Sequence, residues 1–177
     1  MKIQIIGGSG TGKSTLGKYI SEKEKIKWID TDNYLWKDHS FTETFSIKER
    51  KEMYQKDIET HREYIASGSI FSWCPTGFNN RDLLVFLFLN EENRMNRLYM
   101  RENERNSQFW QNENGEDTND FLEWCRTYLT AKDKNKMFTY ADYAYQMKIS
   151  KSPTLKLDGS LPLEELYAEI LNFYKNK

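Results

Sequence analysis

Gly7, Gly8, Ser9, Gly10, Thr11, Gly12, Lys13 and Ser14 follow directly after the mostly apolar run at residues 3–6. Their order matches G-x-x-x-x-G-K-S, the pattern of a loop whose glycines let backbone amides approach a polyphosphate closely. Leu16, Tyr19 and Ile20 recur at helical spacing after it. A glycine-rich loop that matches by chance would need neither the strand nor the helix, so the sequence predicts a nucleotide phosphate site.

Lys13 and Ser14 carry the chemistry predicted for this loop. The helix that begins near Gly12 directs unpaired amides and its positive dipole end at the same anion. We expect the Lys13 ammonium to reach the β- and γ-phosphates of ATP, and the Ser14 hydroxyl to ligate the Mg²⁺ that bridges them. With Thr15, the loop residues form the predicted ATP site, and Mg²⁺ is the predicted cofactor.

Composition favours a small-molecule partner. The 177 residues predict a single domain, residues 1–177, and 26 basic residues against 27 acidic ones give a formal net charge of −1. This balance makes a nucleic-acid partner unexpected.

The sequence also bears on the compartment. The longest apolar run, residues 83–89, is far shorter than the ~20 residues that span a bilayer. Residues 1–14 lack the apolar region of a secretory signal. Cys74 and Cys125 lie far apart without metal-ligand spacing, which is typical of reduced thiols. We therefore expect a cytoplasmic protein with no membrane partner.

Strand and helix signals alternate along the whole chain, which predicts a doubly wound α/β domain. The predicted strands after the first cover residues 26–29, 63–67, 83–89 and 154–157. Residues 83–89 are apolar without alternation, as in a parallel strand buried on both faces. A charged helix is predicted over residues 47–61, and a strongly amphipathic final helix has Pro162 in its first turn.

Polar residues follow the second and third strands. Ligands bind at the carboxyl ends of strands in an open parallel sheet. Asp30 and Asp32 should therefore lie beside the phosphate loop, where carboxylates can hold Mg²⁺ through water or accept a hydrogen bond from a substrate hydroxyl. They are also compatible with simple turn and cap roles, but we expect Asp32 to be functional. Other predicted acceptor-binding residues are Ser67, Gly68 and Ser69, and Trp73, whose ring could instead cover the core.

Four arginines share one face of the helix that follows the fourth strand: Arg94, Arg97, Arg101 and Arg105. We expect Arg94 and Arg97 to face solvent, where nearby glutamates reduce the repulsion between the arginine charges. Arg101 and Arg105 enter the polar stretch 106–118, which is typical of a mobile lid. Arginines that enter a lid suit a phosphoryl-transfer site, so both are candidate catalytic residues.

The chain resembles the adenylate kinase and shikimate kinase group of P-loop phosphotransferases, near a poorly characterised branch labelled AAA-family ATPase or DNA topology modulation protein. The resemblance covers nearly the whole chain. It implies a three-layer α/β/α sandwich with strand order 2-3-1-4-5, an acceptor flap at about residues 33–62 and a lid at about residues 106–118. It also implies that Arg101 covers the adenine, Arg105 contacts the phosphates, Gly159 approaches the adenine, and Asp32 serves both acceptor and metal.

The acceptor half of the resemblance is weaker. The Asp-Gly-Phe-Pro-Arg segment that grips a nucleoside monophosphate in adenylate kinases is absent, and of the arginines between the loop and the fourth strand only Arg81 is expected near the acceptor. The leading interpretation is a kinase for a nucleoside, nucleotide or shikimate-like acceptor. An ATPase or nucleotide switch without acceptor, and a nucleic-acid-modulating protein, remain alternatives.

Overall fold

A five-stranded parallel sheet organises the computed structural model, which describes residues 1–38 and 43–176. Its strands are Lys2–Ile6 (β1), Lys27–Asp30 (β2), Tyr64–Ser67 (β3), Leu83–Phe88 (β4) and, after a separate hairpin, Thr154–Asp158 (β7). They lie in the order β2-β3-β1-β4-β7. Counted within the sheet alone, this is the predicted order 2-3-1-4-5.

The central strands are buried because helices cover both faces of the sheet. The helices are Lys13–Glu24 (α1), Asp32–Leu35 (α2), Ile47–Thr60 (α3), Glu91–Glu104 (α4), Asp120–Arg126 (α5), Tyr140–Ile149 (α6) and Leu163–Lys175 (α7). Ile3 and Ile5 of β1 pack in one core cluster with Leu16 of α1 and Ile170 of α7. Ile6 instead packs with Tyr143 of α6 on the opposite face. The predicted three-layer α/β/α sandwich is therefore confirmed.

Local contacts set the ends of three helices. Helix α5 ends at Arg126, and Tyr128, which lies beyond it, is still buried. Helix α6 begins at Tyr140, because the Thr139 side chain caps it and Phe138 has a φ of 63°. Pro162 is the residue before α7, where its missing N–H costs nothing.

The segment predicted as a lid contains a small antiparallel hairpin, Trp110–Gln111 (β5) and Asp117–Thr118 (β6). The buried carboxylate of Glu102 lies at its base. It accepts hydrogen bonds from Ser107 Oγ at 2.8 Å and from Asn119 Nδ2 at 3.3 Å. One side chain of α4 therefore holds both ends of this segment.

The segment predicted as an acceptor flap contains α2 and α3, joined by a stretch in which Trp36 and Thr44 form an isolated antiparallel bridge. Residues 39–42 of this predicted flap lie outside the described residues. Ser46 and Glu49 form a capping box that fixes the start of α3. Within the described part of the chain, no helix has the length and apolar character needed to cross a membrane.

Candidate active site

A cavity of about 600 Å³ lies at the carboxyl ends of the strands. It brings together most of the side chains predicted from the sequence. They come from the phosphate loop, the ends of β2 and β3, helix α4 and the turn after β7, and they are Ser9 to Thr15, Asp30, Asp32, Ser67 to Ser69, Arg101 and Gly159. Arg97, which was not predicted for the site, lines the cavity as well.

The phosphate loop has a backbone that only glycine adopts easily. Gly7 has a φ of +149°, and a Cβ there would lie 2.2 Å from the Leu87 carbonyl oxygen. Gly12 has a φ of +97° and precedes α1 directly. Thr11 Oγ1 donates to the Gly8 carbonyl at 2.9 Å, which ties the loop to itself. The loop is thus shaped before any ligand arrives.

Lys13 is held inside this loop by a hydrogen bond from Nζ to the Gly8 carbonyl oxygen, at 2.9 Å. Burial lowers the pKa of Lys13 to about 8, and the negative charges of Asp32 and Asp30 oppose that shift only partly. A polyphosphate would give this ammonium the full negative partner that the loop carbonyl does not supply.

Asp30 lies at the end of β2 and lines the cavity with the phosphate loop, where the sequence analysis expected it. Its carboxylate makes a side-chain hydrogen bond with Ser14, and its Oδ1 accepts from the Asp32 backbone N at 3.2 Å. Burial and, after it, the charge of Asp32 raise the pKa of Asp30.

These oxygens fit Mg²⁺ in its usual protein environment. Mg²⁺ prefers oxygen ligands and keeps several waters, with one or two carboxylates and the substrate phosphates completing its shell. Ser14 and Asp30 supply such oxygens beside the loop, and Asp32 follows at the start of α2. In residues 1–38 and 43–176, no group of three or more His, Cys, Asp or Glu side chains could hold a metal alone.

The arginines of α4 differ from the prediction by about one helical turn. Arg97 lines the cavity, and its Nη1 and Nη2 both donate to the Gly159 carbonyl oxygen at 3.3 Å. Arg101 also lines the cavity, and its buried Nε has no hydrogen-bond partner among the described residues. Arg105 lies outside the cavity, since α4 ends at Glu104 and the Arg105 side chain turns to Glu102 at 3.4 Å.

Arg94 does not face solvent, so the sequence prediction for this side chain is wrong. It is only 1 % exposed. Its guanidinium pairs with Glu91, donates to the Ser9 carbonyl at 3.0 Å and to the Cys125 carbonyl at 2.7 Å, and lies over the Tyr128 ring. Arg94 therefore joins the phosphate loop to the end of α5, because three neutral or anionic acceptors converge where water would otherwise be needed.

The residues predicted to bind the acceptor separate into two groups. Ser69 lines the cavity, while the Ser67 hydroxyl is committed to the Lys13 carbonyl and to Trp28 Nε1, both at 3.1 Å. Trp73 lies outside the cavity and packs edge-on against Tyr34 and Tyr54. Arg81 lies outside it too and lines a second cavity.

Phe138 and Tyr143 complete the cavity wall and were missed by the sequence analysis. Phe138 occupies the left-handed region with a φ of 63°, which is uncommon for a bulky residue and is found where surrounding contacts impose it. Its backbone N donates to Asp142 Oδ2 at 3.0 Å. Nothing in the spacing of residues 137–147 indicated which of them would face the sheet edge.

A family model described as "AAA domain" matches residues 3–119. The chain belongs to this AAA domain family. A family relative, the uncharacterized protein YqaC of Bacillus subtilis, is 32% identical over 173 residues, which are 97% of this chain and 96% of the relative. Shikimate kinase of Staphylococcus aureus is 35% identical over only 57 residues, 32% of this chain and 33% of that enzyme.

Solved structures show that this member of the AAA domain family has the fold of P-loop kinases. Shikimate kinase from Acinetobacter baumannii aligns with a TM-score of 0.59 at 16% identity, covering 98% of this chain and 92% of that one. Deoxyadenosine kinase from M. mycoides aligns with a TM-score of 0.59 at 18% identity over 100% of both chains. A gluconokinase from Sinorhizobium meliloti gives 0.54 at 18% identity, with 99% and 91% covered.

Proposed function

We propose that this chain is an Mg²⁺-dependent ATP phosphotransferase that acts on a small-molecule acceptor. The observation that carries the proposal is the convergence of Lys13, Asp30, Asp32 and Arg101 on one cavity beside the phosphate loop. Phosphoryl transfer depends mainly on positioned positive charge and an aligned acceptor oxygen. This set of residues offers both, and solved kinases of the same fold act on hydroxyl-bearing substrates.

In this proposal ATP lies along the cavity with its adenine toward Arg97 and Gly159 and its phosphates in the loop. Arg97 and Gly159 are joined by hydrogen bonds and lie beside Thr11 and Gly12 of the loop. The Lys13 ammonium lies inside the loop. Ser14 and Asp30 would hold Mg²⁺, which supplies charge neutralisation at the β- and γ-phosphates.

Lys13 and Arg101 would stabilise the charge on the transferring phosphoryl group. Arg101 is suited to this role because it lines the cavity, its Nε makes no hydrogen bond among the described residues, and its guanidinium offers bidentate donors. Asp32 would orient the acceptor hydroxyl and accept its proton, since it is exposed and lines the cavity at the start of α2. Ser69, Phe138 and Tyr143 form the wall against which the acceptor would rest.

We further propose a neutral or weakly anionic acceptor, so that AMP is a poor substrate. A dianionic phosphate beside ATP needs arginines that supply charge and bidentate hydrogen bonds together. In the described part of the chain the arginines that line the cavity are Arg97 and Arg101, both from α4 and both assigned to ATP. A cytoplasmic location stays a prediction of the sequence.

The test is a coupled assay of ADP release with nucleosides, nucleoside monophosphates, sugars and hydroxy acids. The proposal expects one neutral or monoanionic hydroxyl compound to raise ADP release and to be recovered as its phosphate ester. The variant Asp32→Asn should abolish the increase. ADP release that no acceptor changes would instead indicate an ATPase or switch. AMP turnover at ~1–100 s⁻¹, a rate typical of kinases, would overturn the prediction about the acceptor.

A further inference from the structure

A second cavity, of about 390 Å³, lies next to the active-site cavity. We call it the Arg81 cavity, and it is enclosed by residues from the segment after β3 and by the end of α6. Ser69 lines both cavities, and Gln146, which accepts a hydrogen bond from Ser69 Oγ, lines the second. The active-site proposal makes no use of this space.

Arg81 brings a positive charge to this cavity, and it forms no ion pair within residues 1–38 and 43–176. Its Nη1 donates to the Phe78 carbonyl at 3.1 Å and its Nη2 to Ser150 Oγ at 2.9 Å, and both acceptors are neutral. The Nε is buried and makes no hydrogen bond within the described residues. The ion pairs found in that part of the chain all join other groups.

The rest of the wall adds to the positive character. Lys151 lines the cavity as well, and no lining residue is acidic. Lys134 lies over the ring of Tyr145, a further lining residue, at 4.4 Å from its centroid. Thr76 and Asn79 add further polar side chains to the wall. The hydroxyls of Ser69 and Ser150, which also line it, already donate to Gln146 and to the Ser152 carbonyl.

An uncompensated cation in such a place is costly, because removal from water penalises the charged form. Burial lowers the pKa of Arg81, with Tyr64 opposing it. An anion in the cavity would offset that penalty, and an arginine fork matches the oxygens of carboxylate and phosphate groups. The geometry therefore favours an anionic occupant over a neutral one.

We propose that the Arg81 cavity is a second ligand site, which binds a small molecule carrying a carboxylate or phosphate group. This inference goes beyond phosphoryl transfer and does not depend on it. A ligand bound in the Arg81 cavity would affect the active-site wall through one connected set of hydrogen bonds. Ser69 Oγ donates to Gln146 Oε1 at 2.7 Å, and Gln146 Nε2 donates to Asp142 Oδ1 at 2.8 Å. Asp142 in turn holds the backbone of Phe138 in the active-site wall.

The test is titration with inorganic phosphate and, separately, malonate, followed by the arginine Nε–H and backbone amide resonances of the full chain. The phosphate loop is first saturated with Mg²⁺ and a non-hydrolysable ATP analogue, so that added anion cannot report on that loop. We expect saturable shifts of the Arg81 Nε–H and the Ser69 amide. Phosphate and malonate distinguish the two anionic groups, and a response to either supports the site.

Variants locate the response. Arg81→Gln should weaken anion binding at least ~10-fold, since it removes a charge-assisted contact. Lys151→Gln should weaken it less, and the exposed control Arg62→Gln should leave it unchanged. The amide spectrum shows whether each variant is folded. The proposal is overturned if neither anion shifts the wild-type Arg81 Nε–H, or if Arg81→Gln binds with wild-type affinity. Binding of the ATP analogue itself, seen in the loop amides, tests the proposed function separately.

Discussion

Arg97 donates two hydrogen bonds to the Gly159 carbonyl oxygen, each at 3.3 Å, and so joins helix α4 to the turn after β7. This contact lies in the wall of the active-site cavity, beside Thr11 and Gly12 of the phosphate loop. Together with the cavity-facing Arg101, it shifts the functional arginines one turn toward the start of α4, away from Arg105. The predictions below follow from that assignment and from the charges around the loop.

Arg101→Ala should lower kcat by roughly 10²-fold or more, because it removes a positioned charge from the transferring phosphoryl group. Arg105→Ala is the matched control on the same helix. Its side chain is 44% exposed and turned to Glu102, so its kcat should stay within a few-fold of wild type. The measurement is steady-state ADP release with the identified acceptor. Equal losses in the two variants would contradict the assignment.

Lys13 predicts a pH dependence of ATP binding. Its pKa is lowered to about 8 by burial, so the free protein loses this charge as the pH rises through about 8. ATP prefers the charged form, and its Kd should therefore increase by up to ~10-fold per pH unit above that value. Fluorescent-nucleotide titrations between about pH 7 and 9 measure this. Lys13→Arg, which stays charged, should bind more weakly but with a flat profile.

The lowered pKa of Lys13 also affects folding stability. A rise in pH, which weakens ATP binding, increases the stability of the fold. The unfolded chain keeps its Lys13 proton up to about the ordinary value of 10.5, whereas the folded chain releases it near 8. The unfolded state thus binds more protons between these values, and the Lys13 contribution to the free energy of unfolding rises with pH there. Urea titrations at several pH values in that window give the free energy of unfolding. We expect it to rise with pH more steeply for wild type than for Lys13→Met. Parallel pH profiles would contradict the lowered pKa.

Substitutions of Asp30 and Asp32 should have different effects, the first on Mg²⁺ binding and the second on activation of the acceptor. Asp30→Asn weakens the oxygen set beside Ser14, so we expect a higher Mg²⁺ concentration for half-maximal turnover. Asp32→Asn should lower kcat by roughly 10²–10⁴-fold, the usual contribution of a general base, with little change in ATP affinity. Kinetics at varied Mg²⁺ and calorimetry with an ATP analogue measure the two effects. A loss of ATP affinity with retained kcat in Asp32→Asn would refute its role.

Arg94→Met should destabilise the fold by about 2–6 kcal/mol, because the Ser9 and Cys125 carbonyls each lose a donor worth about 1–3 kcal/mol. Arg126→Met is the control. The Arg126 ion pairs with Glu116 and Glu123 are solvent-exposed, and such pairs contribute about 0–1 kcal/mol. Urea unfolding measures both. A loss below about 1 kcal/mol for Arg94→Met would show that this buried tie is dispensable.

The hairpin segment, residues 106–118, should respond to nucleotide as a lid. Its strands are short and largely exposed, and closure over ATP would exclude water from the reaction. Hydrogen exchange in this segment should slow when a non-hydrolysable ATP analogue is added, whereas exchange in the exposed helix α3 should not. Unchanged exchange in the hairpin, with nucleotide binding verified, would argue against a lid.

Much of this molecule could be predicted because local patterns determine it. The glycine loop specifies its own backbone, and the unbroken apolar run of β4 already indicates a strand covered on both faces. Arg94 and Arg105 could not be assigned from spacing, because helical periodicity says which residues share a face but not what packs against that face. Phe138 escaped detection for a similar reason, since its φ of 63° arises from the cap on α6 and the Asp142 contact.

Glu102 has a consequence for the integrity of the chain. Its carboxylate binds Ser107 before the hairpin and Asn119 after it, and β5 pairs with β6 between those points. The segment is therefore held together at its base by the side-chain hydrogen bonds of Glu102, and further along by the backbone pairing of β5 with β6. A protease that cuts near the tip, at the exposed Gly115, should leave both new ends attached. The nicked protein would migrate as one species until it is denatured.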